Sequence, residues 1–430
     1  MRTIQKSSIS PFGGLNFVLE EAVKLKINKL LEDHLPQMPS QSTYNWFDIF
    51  MSYWSVFFCG GDCAEDLDIN IRPGLQNNPF INIPSPDRVL ERIKSLSDEC
   101  KPFTADRGVR EHWFSLSEDM NKLNLKLLSL LPKFKKQKVV LDYDNTIIFT
   151  EKADARFTYK KERGYYPGVG MIGKHIVYVE NRNGDSPAHV LQHETIDRMS
   201  GLLNEFGVKV DAIRADSASY TYDIIKSMEK AADRIFIRAR MTHAIESEIV
   251  NIPEWEKIIV GKKEYWRGST SFIPFIRNAR GNKRKTESLK QYRLVVTKEA
   301  REDGQINLFT GEACNYQGIL TNDFDLTDDE VVYFYNARGA REREFDELKN
   351  DFGWRKMPFS KMEQNSAFLI LMAMCKNLYN HMIVKFSEKA KYLSSHFRIK
   401  KFIFRFICMP AKWIRSGRVN KLNVYSSHFT

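Results

Sequence analysis

Apolar residues recur at helical spacing from Leu15 to Leu31, and an aromatic-rich run follows from Tyr44 to Phe58. SPDRVLERI then opens with Ser85 as N-cap and Pro86 at the first helical position. These stretches predict a helical first region, residues 1–101, with the turn-rich DINIRPGLQNNPFINIPSP as a linker between its units. The period changes at Val139. VVLDYDNTIIF alternates as a strand does, and YYPGVGMIG and KHIVYVENRNG read as two further strands joined by a glycine-containing turn. HETIDRMSGLLNEFG follows as an amphipathic helix stopped by Gly207, VKVDAIRAD as a strand, SYTYDIIKSMEKA as a helix and RIFIRAR as a strand. That order predicts an α/β core with mixed strand pairing, whose first part is residues 137–241. Residues 242–325 break the rhythm and read as a strand-rich, strongly basic insertion. The core resumes over 326–382 with a charged helix, YNARGAREREFDELK, and a buried one, NSAFLILMAMCKNLYNHMIV; a basic region, 383–430, closes the chain.

With 430 residues and 43% apolar composition, the chain is large enough for more than one core. Its formal charge of +11 and pI near 9.1 point to polyanions rather than acidic small molecules. The basic residues cluster: Lys385 to Lys421 holds eleven Lys or Arg against the single acid Glu388, and KKFIFRF interleaves cations with aromatics. Six scattered cysteines make no disulfide framework, and Cys59 and Cys63 lack the second pair that a zinc site needs. They read as reduced core thiols of a cytosolic protein. The start has no signal-peptide pattern. The longest apolar run, Ala367 to Cys375, is too short to span a bilayer, so no membrane segment is expected.

Two strand-borne aspartates carry the chemistry. Asp144 lies in DYDNT, on the same strand face as Asp142, and Asp216 lies in IRADSAS, where an apolar strand ends. Such carboxylates are costly unless paired or bound to a cation. Glu342, on the charged helix, adds a third hard oxygen donor suited to Mg²⁺ or Mn²⁺. Wound at about 100° per residue, Tyr335, Arg338, Glu342 and Lys349 share an arc of roughly 60°, with Ala337, Phe345, Leu348 and Phe352 on the adjoining, core-facing arc. The plain alternative is a solvated helix laced with ion pairs.

The spacing Tyr335, Arg338, Glu342, Lys349 resembles the Y-R-E-K signature of bacterial cut-and-paste insertion-sequence transposases. Together with DNT around Asp144 and ADS around Asp216 it resembles their DDE triad on a ribonuclease H-like fold, from about Val139 to Lys349. The resemblance implies two Mg²⁺ ions, with Mn²⁺ able to substitute. Asp144 would bridge both, and Asp216 and Glu342 would each complete one shell. It also implies DNA contacts from Tyr335, Arg338 and Lys349, and a homodimer on DNA. Residues 1–101, which show no clear helix-turn-helix pattern, read as a DNA-end-binding module or as a plain helical bundle. The expected partners are double-stranded transposon ends and target DNA, and the expected location is the bacterial cytoplasm at the nucleoid. Asp142 is the rival for the first carboxylate; Asp144 is preferred because Thr146 completes the family's D-x-T pattern.

By the same resemblance, Trp255 and Trp266 of the insertion could stack on a flipped base, against the commoner role of core tryptophans. Arg277 to Lys290 reads as a solvated basic loop facing DNA. His193 reads as helix surface, and Glu194 is given no role. Two alternatives to a transposase stay open: a nuclease of the same fold that cuts without joining, and a catalytically silent DNA-binding derivative.

Overall fold

A computed structural model describes residues 9–75, 78–104, 110–260, 263–278, 281–308, 310–417 and 419–425. Its strands are β1 (Lys101–Thr104), β2 (Glu111–Ser115), β3 (Val139–Asn145), β4 (Ile148–Phe149), β5 (Arg156–Phe157), β6 (Arg163–Tyr165), β7 (Gly168–Ile172) and β8 (His175–Arg182). They continue as β9 (Val210–Ala215), β10 (Arg234–Ala239), β11 (Glu256–Val260), β12 (Lys263–Phe272), β13 (Tyr292–Ala300), β14 (Cys314–Thr321), β15 (Ala411–Ser416) and β16 (Val419–Val424). Eleven of them form one sheet in the order β1-β2-β8-β7-β3-β9-β10-β14-β13-β12-β11.

The centre of this sheet has the ribonuclease H-like arrangement. β8, β7 and β3 pair antiparallel, then β3, β9 and β10 run parallel. The parallel pairs need crossovers, which the helices Gln192–Glu205 and Tyr222–Ala231 supply. Period-2 geometry sorts the side chains of β3: Leu141 and Tyr143 enter the core beneath those helices. Asp142 and Asp144 therefore face the opposite side. There, Ala212 and Phe236 pack against Val331, Val332 and Tyr335 of the helix Asp328–Asn336.

The basic insertion is continuous with this sheet. β14 pairs antiparallel with β10 along Phe236–Ala239, and β13, β12 and β11 extend the edge. Trp255 packs edge-on to Tyr316 with the Lys298 ammonium 4.3 Å over its ring, while Trp266 is partly exposed.

The first region and the long helix Met362–Lys389 share one core. Every residue of the helix Trp46–Phe58 is buried, Asn45 and Asp48 close its capping box, and Trp54 Nε1 donates to the Leu371 carbonyl at 3.1 Å. The stretch Leu15 to Leu31 forms two helices, Leu15–Lys24 and Ile27–His34, because Lys26 adopts a left-handed φ of 59°. The helix Met362–Lys389 is long and apolar enough to cross a membrane, a correction to the short-run expectation. However, 83% of its apolar window is buried inside the protein, which makes it a core helix.

The basic tail is also more structural than its composition implied. Phe402 and Phe406 are buried, with Phe406 ring centroids 4.9 Å from Phe386 and 5.1 Å from Phe402; of the three phenylalanines of this run, Phe404 is the exposed one. Arg398 pairs with Asp346 and Asp351, and Lys385 with Glu21. The hairpin β15–β16 joins Ser10, and Trp413 Nε1 donates to Asn16 Oδ1 at 2.8 Å. Phe402→Ala is therefore expected to cost about 3–5 kcal/mol in urea unfolding. Lys401→Gln, on an exposed neighbour, should leave the midpoint unchanged.

Candidate active site

The site is keyed by the carboxylate that proves not to be free. Asp142, 2% exposed, receives a two-pronged ion pair from Arg214 of β9, Nε to Oδ1 at 2.6 Å and Nη2 to Oδ2 at 2.8 Å. Arg341 Nε lies 3.3 Å from Oδ2. The same Arg214 donates through Nη1 to the Phe334 carbonyl at 2.5 Å. One buried carboxylate thus joins β3, β9 and the ends of two helices, which is ample structural employment for Asp142.

Asp144, two residues on, has a single cationic partner, Arg338, at 2.9 Å. Burial, reinforced by Asp216 and Glu342, pushes its carboxyl up to about 6 against the opposing pull of Arg338 and the Asn145 N–H. Asp216 and Glu342 therefore each lie within electrostatic reach of Asp144. Asp216 follows β9 directly, and its Oδ1 accepts from the Ala218 N–H at 3.0 Å, capping the short turn Ser217–Ser219. The capping role expected of an aspartate before serine is thus present, and it fixes this side chain at the strand end.

The charged helix is not continuous. Asp328–Asn336 ends in a 3-10 turn, Ala337–Gly339, and a second helix runs from Ala340 to Asp351. A 3-10 turn takes three residues per turn, so the single arc expected for Tyr335, Arg338, Glu342 and Lys349 is redistributed. Tyr335 is buried, its hydroxyl donating to the Ala215 carbonyl at 3.1 Å and its ring beneath the Arg238 guanidinium. It braces the residue before Asp216 and presents no surface to DNA. Arg338 turns to Asp144, its Nε buried without a hydrogen-bond partner among the described residues, and Glu342 is exposed in the first turn of the second helix. Ala337 is exposed too, whereas Phe345, Leu348 and Phe352 enter the core as expected.

Lys349 is half-buried in the last turn of that helix. Burial, with Arg355 and Lys160 nearby, lowers its ammonium to about 8 despite the pull of Asp144. The rear of the helix is held by Lys376, fully buried in the long helix and bonded to Glu344 at 2.5 Å and Glu347 at 3.1 Å. Neither the Asp142 cluster nor the Lys376 pairings were anticipated from sequence; the only signal was the density of charge in AREREFDELK facing otherwise apolar helices.

The chain matches the family described as Transposase DDE domain group 1 over residues 6–429. It belongs to that family. Among solved structures it is similar to a piggyBac transposase synaptic complex with hairpin DNA, at 12% identity and a TM-score of 0.44, covering 94% of this chain and 82% of that one. It is also similar to a Drosophila P element transposase strand transfer complex, at 13% identity and a TM-score of 0.25, covering 57% and 53%. A comparison with curated protein sequences gives no match. The chain is a DDE transposase, an enzyme of a family that cleaves and joins DNA with divalent metal ions.

The donor set of this transposase suits such ions: three hard carboxylates, one of them destabilised as an anion by burial and by the other two. The three do not close as tightly as Asp62, Cys63 and Asp66, whose ligand atoms lie within 4.8 Å of one another. That second group is already engaged: Asp66 Oδ2 accepts from the N–H groups of Asp62 and Cys63, and Asp62 pairs with Lys356. All six cysteines are free, but only Cys375 is buried.

The contrast between the two β3 aspartates is measurable. Asp142→Asn should destabilise by about 3–5 kcal/mol, because it strips the charge that answers two buried guanidinium groups. Asp144→Asn should leave stability at pH 7 unchanged or raised. Its carboxyl titrates above the usual range in the folded state, so stability is lost as pH rises from that range to about 6; the penalty is fully present at pH 7, and the amide removes it. Urea unfolding of both variants at pH 7 checks the pair.

Proposed function

We propose that Asp144, Asp216 and Glu342 are the metal-binding triad of a cut-and-paste transposase, and that Arg338 and Lys349 grip the DNA end beside it. The observation that carries this reading is the electrostatic convergence of the three carboxylates at the ends of β3 and β9, with Arg338 as counter-charge. Two Mg²⁺ or Mn²⁺ ions bound there would supply Lewis-acid stabilisation of an in-line phosphoryl transfer.

The protein's own part is positioning. Asp216 is held by the Ala218 N–H and by Tyr335 beneath Ala215; Glu342 is held through Arg341 on Asp142 and through Lys376 on the next turn. Arg338, whose Nε has no acceptor, has donors to spare for a phosphate oxygen once Asp144 is neutralised by a cation. Lys349, charged below about pH 8, supplies a point charge on the same side. Tyr335 is assigned positioning and no direct contact. The substrates are the double-stranded inverted-repeat ends and target DNA, worked on by a dimer that holds the paired ends.

Asp144→Asn, Asp216→Asn and Glu342→Gln should each reduce cleavage of a labelled transposon end to background while retaining end binding. EDTA should do the same to the wild type. Strand transfer of a pre-cleaved end should be lost alongside cleavage; vigorous cutting in EDTA, or by Asp144→Asn, contradicts the assignment. Lys349→Ala should slow single-turnover cleavage by about 10²-fold, through misplacement of the scissile phosphate, without rescue by added Mn²⁺.

The same lysine makes a pH prediction. Its folded-state pKa lies below that of a free lysine, so the ammonium is present below about pH 8 and is lost above it. End affinity should fall as pH rises through that value, and Lys349→Arg should abolish the slope. Fluorescence anisotropy across pH 6.5 to 9.5 reads both.

A further inference from the structure

A cavity of about 630 Å³ lies behind the active site, one residue pair back along β3 from Asp144. It opens between the segment Leu131 to Val139, the turn joining β7 to β8, and the end of the long helix. Most of its wall is apolar, built by Leu131, Phe134, Val139, Val140 and Val384. Its volume falls within the range of small-ligand sites.

The polar groups that line it are unbalanced. Arg341 is 9% exposed, and its Nη1 is buried with no hydrogen-bond partner among the described residues. Asp142 approaches Arg341 through Nε, 3.3 Å from Oδ2, and not through Nη1. His175 Nδ1 is likewise buried and unpartnered, and burial beside Lys376, His381 and Lys174 lowers that ring to about 4, keeping it neutral. A buried donor left unmade costs roughly 1–3 kcal/mol, and Arg341 lines the cavity, so an acceptor bound there would meet an under-satisfied guanidinium. Of the outer cations, Lys133 is answered by Glu388 and Lys385 by Glu21, while Lys135, Lys138 and Lys174 stand exposed at the mouth. Lys138 is held there at a left-handed φ of 51°, a conformation that non-glycine residues adopt at a cost.

We infer that this cavity binds a nucleotide-sized phosphate ester, its phosphate on Arg341 and the mouth lysines and its apolar body against the Val139–Val140–Val384 wall. A single carboxylate would be satisfied by Arg341 alone; the additional lysines match a dianion. An apolar wall of this extent does not suit the side of a duplex, whose phosphates lie in polar, solvated grooves. A free nucleotide and the terminal nucleotide of a DNA strand share the required chemistry.

The test is calorimetric titration of the full-length protein with thymidine monophosphate in EDTA, where the metal-dependent reaction plays no part. Saturable binding is expected, at least tenfold tighter than for thymidine or inorganic phosphate alone. Val384→Trp, which fills the cavity, and Lys174→Glu, which reverses an exposed charge at its mouth, should each weaken it at least tenfold with thermal melting preserved. Displacement by a 5′-phosphorylated oligonucleotide assigns the ligand to a strand end; persistence of binding assigns it to the free nucleotide. Absence of saturable binding to the wild type, or equal binding by wild type and Lys174→Glu, overturns the inference. Because Lys174 is exposed, that variant keeps the test decisive even if Val384→Trp fails to fold.

Discussion

Asp142, a buried carboxylate held by two guanidinium groups, sets the geometry on which the candidate site depends. Burying an ion costs several kcal/mol, and the cost is offset only when geometry and hydrogen bonding are good on every side. Here Arg214 grips both oxygens from the neighbouring strand and also reaches the Phe334 carbonyl near the end of the helix Asp328–Asn336. Arg341 approaches the same carboxylate from the next helix. A well-packed apolar cluster could match this in stability, but it would tolerate sliding. An ion cluster with fixed donors does not, so the helix bearing Glu342 is registered against β3 and β9. Lys376, bonded to Glu344 and Glu347 from the long helix, fixes the opposite side.

Much of this was legible in the chain because the local period and the tertiary environment agree. Alternation in VVLDYDNTIIF put Asp142 and Asp144 on one face, and the apolar run ending at Asp216 marked a strand terminus, as β3 and β9 bear out. Other features depend on partners distant in sequence. β14 joins the core at β10 across more than seventy residues, a pairing that no local pattern encodes, so the insertion read as an interruption when its strands continue the sheet. The tail misled for a related reason. Phe402 and Phe406 stand one helical turn apart, a core-facing spacing, but the lysines around them made the segment read as a surface. Tyr335 is buried because it shares the core-facing side of its helix with Val331 and Val332, while the 3-10 turn after it re-aims Arg338 and Glu342; a lone glycine among good helix formers is a weak signal for such a turn.

The formal excess of positive charge is also partly internal. Arg182, fully buried, donates to the Val190 carbonyl at 2.9 Å and to Thr195, and lies over the Phe114 ring; Arg198 makes two bonds to the buried Glu180. These cations organise the sheet around β8 and, being buried or paired with Glu180, contribute less to a surface field than their number suggests. Counting lysines and arginines therefore overstates the field available to DNA, and the useful charge is what remains exposed or singly paired around the site.

Arg338 belongs to that remainder, and its situation explains how Asp144 is tolerated beside two other carboxylates. Asp144 needs a counter-charge, since burial and two neighbouring carboxylates oppose its ionisation. Arg338 provides one through a single contact from a short 3-10 turn, whereas Arg214 holds Asp142 with two parallel bonds from the middle of a sheet. The first arrangement can be exchanged at modest cost and the second cannot. Two aspartates on one face of one strand thus differ in how they are held: Asp142 is locked by two parallel bonds from within the sheet, and Asp144 by one exchangeable contact, as the proposed metal role of Asp144 requires.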